Sequence, residues 1–225
     1  MKKIIIIILA GILAGAGTAW GEILIFDTSD SQFDAGVDNQ GYWSDTLSNY
    51  DENDNYAIGI NPLGDLSRNF FTFDLSSLTF PVISATLELT RFNYLSSADS
   101  ETFGLFDVST DAVTLNNNVG TSESIYNDLG SGISYGQFEI LSDDLSTDVL
   151  SFELNAAAIS DINAAIGGWF SIGGDLLSLG SPIRDNAEAL FGSSQDGGVQ
   201  HLVLEVVPEP ATLLLVGLGT LFLRS

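Results

Sequence analysis

A period of two constrains this chain more than any other feature. Ala85, Leu87 and Leu89 alternate with Thr86, Glu88 and Thr90, and Leu202, Leu204 and Val206 alternate with His201, Val203 and Glu205. Successive side chains of a strand point to opposite faces, so each run sets one face on a core and the other in water, as antiparallel sheets do. Comparable short runs, divided by clusters of Gly, Asn, Asp and Ser, predict strands at 22–26, 56–60, 69–75, 85–92, 102–108, 137–141, 149–154, 169–172 and 199–206. Residues 27–55 read as a long polar loop region. One helix stands out: Asn155 can cap it, Ile159, Ile162, Ala165 and Ile166 recur at helical spacing, and Gly167 with Gly168 ends it. The pattern predicts an all-β fold, an antiparallel β-sandwich of jelly-roll type with one or two short helices, a closed barrel being the alternative.

The two ends of the chain differ from this body. Lys2 and Lys3 precede an apolar core at 4–14, and Gly17 and Ala19 sit at −3 and −1 before Trp20. That is the pattern of a secretory signal peptide over 1–21, with cleavage expected after Ala19 and cleavage after Gly21 as second choice. At the other end Pro208, Glu209 and Pro210 precede an apolar segment at 211–223, with Arg224 near the terminus. The prolines lack backbone donors and fix φ, which favours an extended, exposed stretch there. As a helix rising about 1.5 Å per residue, the thirteen apolar residues reach about 20 Å, short of the ~20 residues a full span needs.

The order of turn-breaker, hydrophobic segment and terminal base resembles the PEP-CTERM sorting signal of exported proteins in Gram-negative bacteria. The resemblance implies that an exosortase-like membrane protease recognises Pro208, Glu209 and Pro210, the tail contacting the membrane before processing. The chain thus divides into a signal peptide (1–21), a β-sandwich domain (22–206) and a sorting tail (207–225) with its hydrophobic C-terminal helix.

Between the two signals the charge is lopsided. Lys2, Lys3 and Arg224 lie in the end segments, leaving three basic residues (Arg68, Arg91, Arg184) against twenty-nine acidic ones, a net −26. Nucleic acid and anionic lipid headgroups both require clustered Lys and Arg, so nucleic-acid binding is excluded. Cysteine is absent, which removes disulfides and thiolate metal sites.

Candidate chemistry is sparse. His201 and Glu205 share the outer face of the last strand, but a triad needs an activated serine and an orienting acid converging on the imidazole, and no nucleophile elbow is expected. Twenty-nine acids guarantee chance carboxylate pairs, so pairing alone does not indicate glycoside hydrolysis. The densest oxygen cluster is Asp51, Glu52, Asn53, Asp54 and Asn55, with Asp27, Asp30, Asp34, Asp38 and Asp45 upstream. It fails as an EF-hand, because Tyr56 stands where glycine is required and Pro62 where glutamate is. Asx-rich turns explain it, and neither metal nor cofactor is expected. Tyr42, Trp43 and Tyr50 lie in the polar loop region, where aromatic faces beside carboxylates and amides are equipment for stacking sugars; Tyr42 and Trp43 are the ligand-binding candidates, against the alternative that they plug the core edge.

Several body segments, RNFFTFDLSSL (68–78), ISATLELT (83–90), ETFGLFDVST (101–110) and LNAAAISDINAAIGGWFSIGG (154–173), resemble the β-sandwich domain of a group of PEP-CTERM proteins. FDLS followed by SATLEL is also similar to bacterial surface and carbohydrate-binding-like modules. These resemblances imply an exported, exosortase-processed envelope or extracellular-matrix protein linked to exopolysaccharide and biofilm, with no catalytic residues to carry over. A carbohydrate-binding module is the alternative.

Overall fold

In a computed structural model, described for residues 21–49, 53–180, 187–192 and 198–207, the alternating runs become the centre of an antiparallel sheet. β12 (Gln200–Val206) lies between β1 (Glu22–Asp27) and β5 (Val82–Thr90), and β9 (Val149–Glu153) completes a four-stranded sheet of order β1-β12-β5-β9. Leu202, Leu204, Val206, Ala85, Leu87 and Leu89 all face inward and are buried. Thr90 departs from the expected alternation. It is buried because its backbone carbonyl accepts the Tyr56 hydroxyl (2.9 Å) and its Oγ1 accepts the Val199 N–H (2.7 Å).

The second sheet is larger. Its order is β6 (Tyr94–Leu95), β11 (Glu188–Leu190), β3 (Ile58–Ile60), β4 (Leu66–Asp74), β10 (Trp169–Leu176), β7 (Ser100–Asp107) and β8 (Ser134–Leu141), with β2 (Gln40–Ser44) also paired to β4. Every recorded strand pairing is antiparallel. Phe71, Phe73, Phe103, Phe170 and Ile172 from this sheet join Leu87, Phe152, Leu202 and Leu204 from the other in one hydrophobic core. Phe152 meets Phe103 and Phe138 across the gap, with ring centroids 5.3 and 5.0 Å apart in edge geometry, the arrangement that aromatic quadrupoles favour.

The described residues contain three helices, where one or two were expected. α1 (Ala112–Asn117) and α2 (Glu123–Asp128) occupy a stretch without helical periodicity long enough to notice, and each is six residues held by a side-chain cap, Asp111 on Thr114 N–H and Ser122 on Ile125 N–H. They cover the outer face of the large sheet, where Leu115, Ile125 and Leu129 form a second apolar cluster with Trp43 and Phe70. α3 (Ala156–Ala164) is the anticipated helix, with Asn155 accepting from the Ala157 and Ala158 N–H groups. The polar region 27–55 likewise differs from expectation by containing β2, whose pairing with β4 no alternation announces.

Candidate functional site

The sorting triplet Pro208, Glu209 and Pro210, the apolar segment 211–223 and the expected cleavage point at Ala19 lie outside the described residues. The strand ends of the body nearest to them are described. Glu22 and Val206 are direct cross-strand partners, so the paths toward both terminal segments leave the body side by side, about 5 Å apart. β12 is flanked by strands on both sides, Val206 is wholly buried, and the Val207 N–H donates to the Pro81 carbonyl at 3.2 Å. Asn163 of α3 secures the same spot, its Oδ1 accepting from the Val82 N–H (2.9 Å) and its Nδ2 donating to the Val82 carbonyl (3.0 Å). Pro208 therefore follows a fixed strand end without a spacer.

The candidate ligand residues are placed otherwise. Trp43 is 3% exposed, packed in the cluster under α1 and α2, and its Nε1–H donates to the Leu115 carbonyl at 3.0 Å. Its indole offers no face to a sugar. Tyr42 is half-buried on the neighbouring β2 position, and its hydroxyl lies 3.5 Å from Asn53 Nδ2. Tyr50 is outside the described residues. Both described aromatics sit where a core-edge plug would.

The Asx-rich region is organised by its own amides. Asn49 Nδ2 donates to Asn118 Oδ1 (2.8 Å), Asn118 Nδ2 to the Asn53 carbonyl (2.7 Å) and Asn53 Nδ2 to Asn49 Oδ1 (2.7 Å), while Asn53 and Asn55 accept N–H groups two residues ahead. Among the described residues no three acidic or histidine side chains converge as metal ligands; Asp51 and Glu52 lie outside them. Burial pushes the Asp38 carboxyl above the ordinary range, opposed by the Gln32 hydrogen bond and reinforced by the charges of Asp54 and Asp27.

The catalytic alternatives fare as follows. His201 Nε2 lies 3.0 Å from Asp27 Oδ2, not on Glu205, whose Oε2 instead accepts the Ser84 hydroxyl at 3.2 Å. Ser29 donates to Asp27 as well (2.7 Å). The carboxylate thus stands between serine and imidazole, the reverse of a triad, where the imidazole must reach the serine. One stretch, Gly132-Ile133-Ser134-Tyr135-Gly136, does carry G-x-S-x-G spacing, which corrects the expectation of no elbow motif. Ser134 opens β8 in register with Phe106 and lies in the other sheet from His201, so the strand-to-helix elbow that exposes a nucleophile is not formed.

A shallow polar cleft of about 260 Å³ opens among Asp30, Ser31, Asp74, Ser76 and Ser77. Burial acts to raise the Asp74 pKa, but hydrogen bonds from Ser76 and Ser31 outweigh it and hold the carboxyl below its ordinary value. A carboxyl kept ionised is unsuited to protonating a glycosidic oxygen.

Of the arginines in predicted strands, Arg68 is ion-paired to Asp175 (2.8 Å), donates to the Tyr126 carbonyl (3.0 Å) and lies 4.3 Å from the Tyr126 ring centroid, tying α2 to the large sheet. Arg91 donates through Nε to the Leu145 carbonyl (3.2 Å) and lies over Tyr94. Both act on the fold.

Residues 206–225 match the PEP-CTERM protein-sorting motif. The motif implies processing by exosortase, a membrane protein, and export to the cell envelope by way of the membrane. A comparison with curated proteins finds no match.

Proposed function

We propose that this chain is a non-enzymatic protein of the cell envelope or extracellular matrix, brought out by a signal peptide cut after Ala19 and sorted at Pro208, Glu209 and Pro210 by an exosortase-like protease. The observation that carries this reading is the sorting motif following directly on the last strand of a β-rich body. Exopolysaccharide and biofilm are its setting: a body with a net charge of −26 repels its own copies and suits a hydrated matrix. In a host with the sorting enzyme, Pro208→Ala combined with Pro210→Ala is expected to leave unprocessed chain in the membrane fraction. Unchanged processing and localisation would defeat the proposal.

A jelly roll is the finer fold we assign. Without the short strands β2, β3, β6 and β11, the remaining eight, renumbered along the chain, run 1-8-3-6 in one sheet and 2-7-4-5 in the other, the order two interlocked Greek keys produce. The carbohydrate-binding reading draws no support from Trp43, whose ring is buried.

A further inference from the structure

Three residues, Pro208, Glu209 and Pro210, separate the fixed position of Val207 from the apolar segment that begins at Ala211. Four fully extended residue steps reach at most about 14 Å. The headgroup layer on each side of a bilayer takes about 5–7 Å of that distance. With 211–223 in the hydrocarbon, the end of the body around Val207 is held at the lipid interface.

The residues at that end suit such a place. Ile23 is 58% exposed on the outer face of β1, one position from the exit, and Ile83 is 50% exposed beside Val82, the register partner of Val206. Pro81, whose carbonyl holds Val207, is exposed as well. Trp169, 37% exposed at the start of β10, lies at this end on the outer face of the other sheet, tilted against Phe33 with ring centroids 4.4 Å apart. The loop from β4 to β5 and the segment from α3 to β10 are joined here by paired hydrogen bonds, Leu75 N–H to the Gly168 carbonyl (2.8 Å) and Gly167 N–H to the Leu75 carbonyl (3.0 Å). In a chain with thirty acidic residues, neither 75–87 nor 162–174 contains a charged one. Exposed aliphatic side chains on a surface laid against a bilayer bury into the headgroup–acyl boundary. The acids nearest the exit are Glu22 and Glu205; Asp74 lies opposite Trp169 and shares a cleft with Asp30, and Asp107, Glu153 and Asp161 reach this end on the β8–β9 flank. The far end carries Asp65, Asp99, Asp143, Asp144 and Asp148 beside its turns.

We infer that the corner formed by Ile23, Pro81 and Ile83 around the Val207 exit is a lipid-docking face, laid on the bilayer surface while the tail is inserted. The occupant is the headgroup–acyl boundary of uncharged or zwitterionic lipid, since the acidic body repels an anionic surface. The inference rests on the proposed membrane insertion of the tail before processing, and the test separates the two. Because the chain has no cysteine, single substitutions Ile23→Cys, Ile83→Cys, Leu63→Cys and Leu215→Cys in the full chain each carry one fluorophore. The chain is reconstituted in phosphatidylcholine vesicles containing chain-brominated lipid. Strong quenching at 215 is expected, with quenching at 23 and 83 several-fold above that at 63, an 87% exposed site in the far β3–β4 turn. Quenching at 215 with 23 and 83 no more quenched than 63 overturns the docking face and leaves the inserted tail standing. An unquenched label at 215 overturns insertion itself, and the docking face with it.

Discussion

The indole of Trp43 has one polar atom, and its partner decides where the ring goes. With Nε1–H on the Leu115 carbonyl and the ring against Phe70 and Leu129, the side chain fastens α1 to the outer face of the large sheet. Trp43→Ala is expected to destabilise the body by about 3–5 kcal/mol through the cavity it leaves. Trp43→Phe should lose about 1 kcal/mol, the order of one hydrogen bond, plus a smaller packing loss. Urea melts of the two variants check this; a loss near zero for Trp43→Ala would mean that the ring is not part of the packing. Asp128, at the end of α2, plays a comparable part with charge. It accepts the Ser109 and Thr110 N–H groups (3.1 and 2.8 Å to Oδ2) and both hydroxyls at 2.6 Å. Burial acts to raise its pKa, but these four donors outweigh it and hold the carboxyl below the usual range. A folded-state pKa below the unfolded one gives stability that is fully present above the unfolded value of about 3.9 and is lost as pH falls through it toward the folded value. Melting temperatures measured from neutral pH down to about pH 3 should therefore fall less steeply for Asp128→Asn than for the parent, the variant starting from a lower plateau.

Single elements show which local patterns are legible and which are not. The strand pattern predicted β5 and β12 to within three residues at each end, because alternation survives wherever one face is buried and the other wet. The Asn155 cap and the Ile159–Ile162 spacing likewise located α3. The helices α1 and α2 escaped because six residues hold fewer than two turns, too short for a repeat, and their only local signals were Asp111 and Ser122, residue types also expected in loops. β2 escaped because both its faces are largely covered, so Gln40, Trp43 and Ser44 are buried without alternating polarity. Nothing local could have marked Asn163, whose two-way bond to Val82 spans eighty-one positions. The placement of α2 does leave one trace in the sequence, at Gly173. A Cβ there would overlap the Leu129 backbone at the end of α2, so glycine is what lets the helix end lie against β10. Gly173→Ala is expected to push α2 off the sheet, weakening the Arg68–Asp175 pair behind it and lowering the melting temperature by several degrees. Gly167→Ala, where nothing lies within 4 Å but φ is +83°, should show a smaller loss, attributable to backbone strain alone. Equal losses at the two sites would argue against the close approach at Gly173.

At the scale of the whole molecule, the last strand is also a central one. β12 enters between β1 and β5, so the four-stranded sheet stays open until the final residues of the body have emerged, and the sorting motif becomes a neighbour of folded structure only when β12 has been inserted. A protease needs its substrate extended. Drawing residues 200–206 into an active site would strip both neighbours from β12 and expose Leu202, Leu204 and Val206, which are fully buried; at about 1.5–3 kcal/mol for each such side chain, that is a large share of the stability of an ordinary domain. Beyond Val207, whose N–H is the last backbone donor held by the body among the described residues, cleavage carries no such cost. The fold thereby sets a boundary on processing. Intact-mass measurement of the protein recovered from a host with the sorting enzyme is expected to give a mature C-terminus at residue 207 or later, with a melting temperature equal to that of a chain truncated after Val207. A mature end within 200–206 would show that sorting acts before the sheet closes, on a body still lacking its central strand.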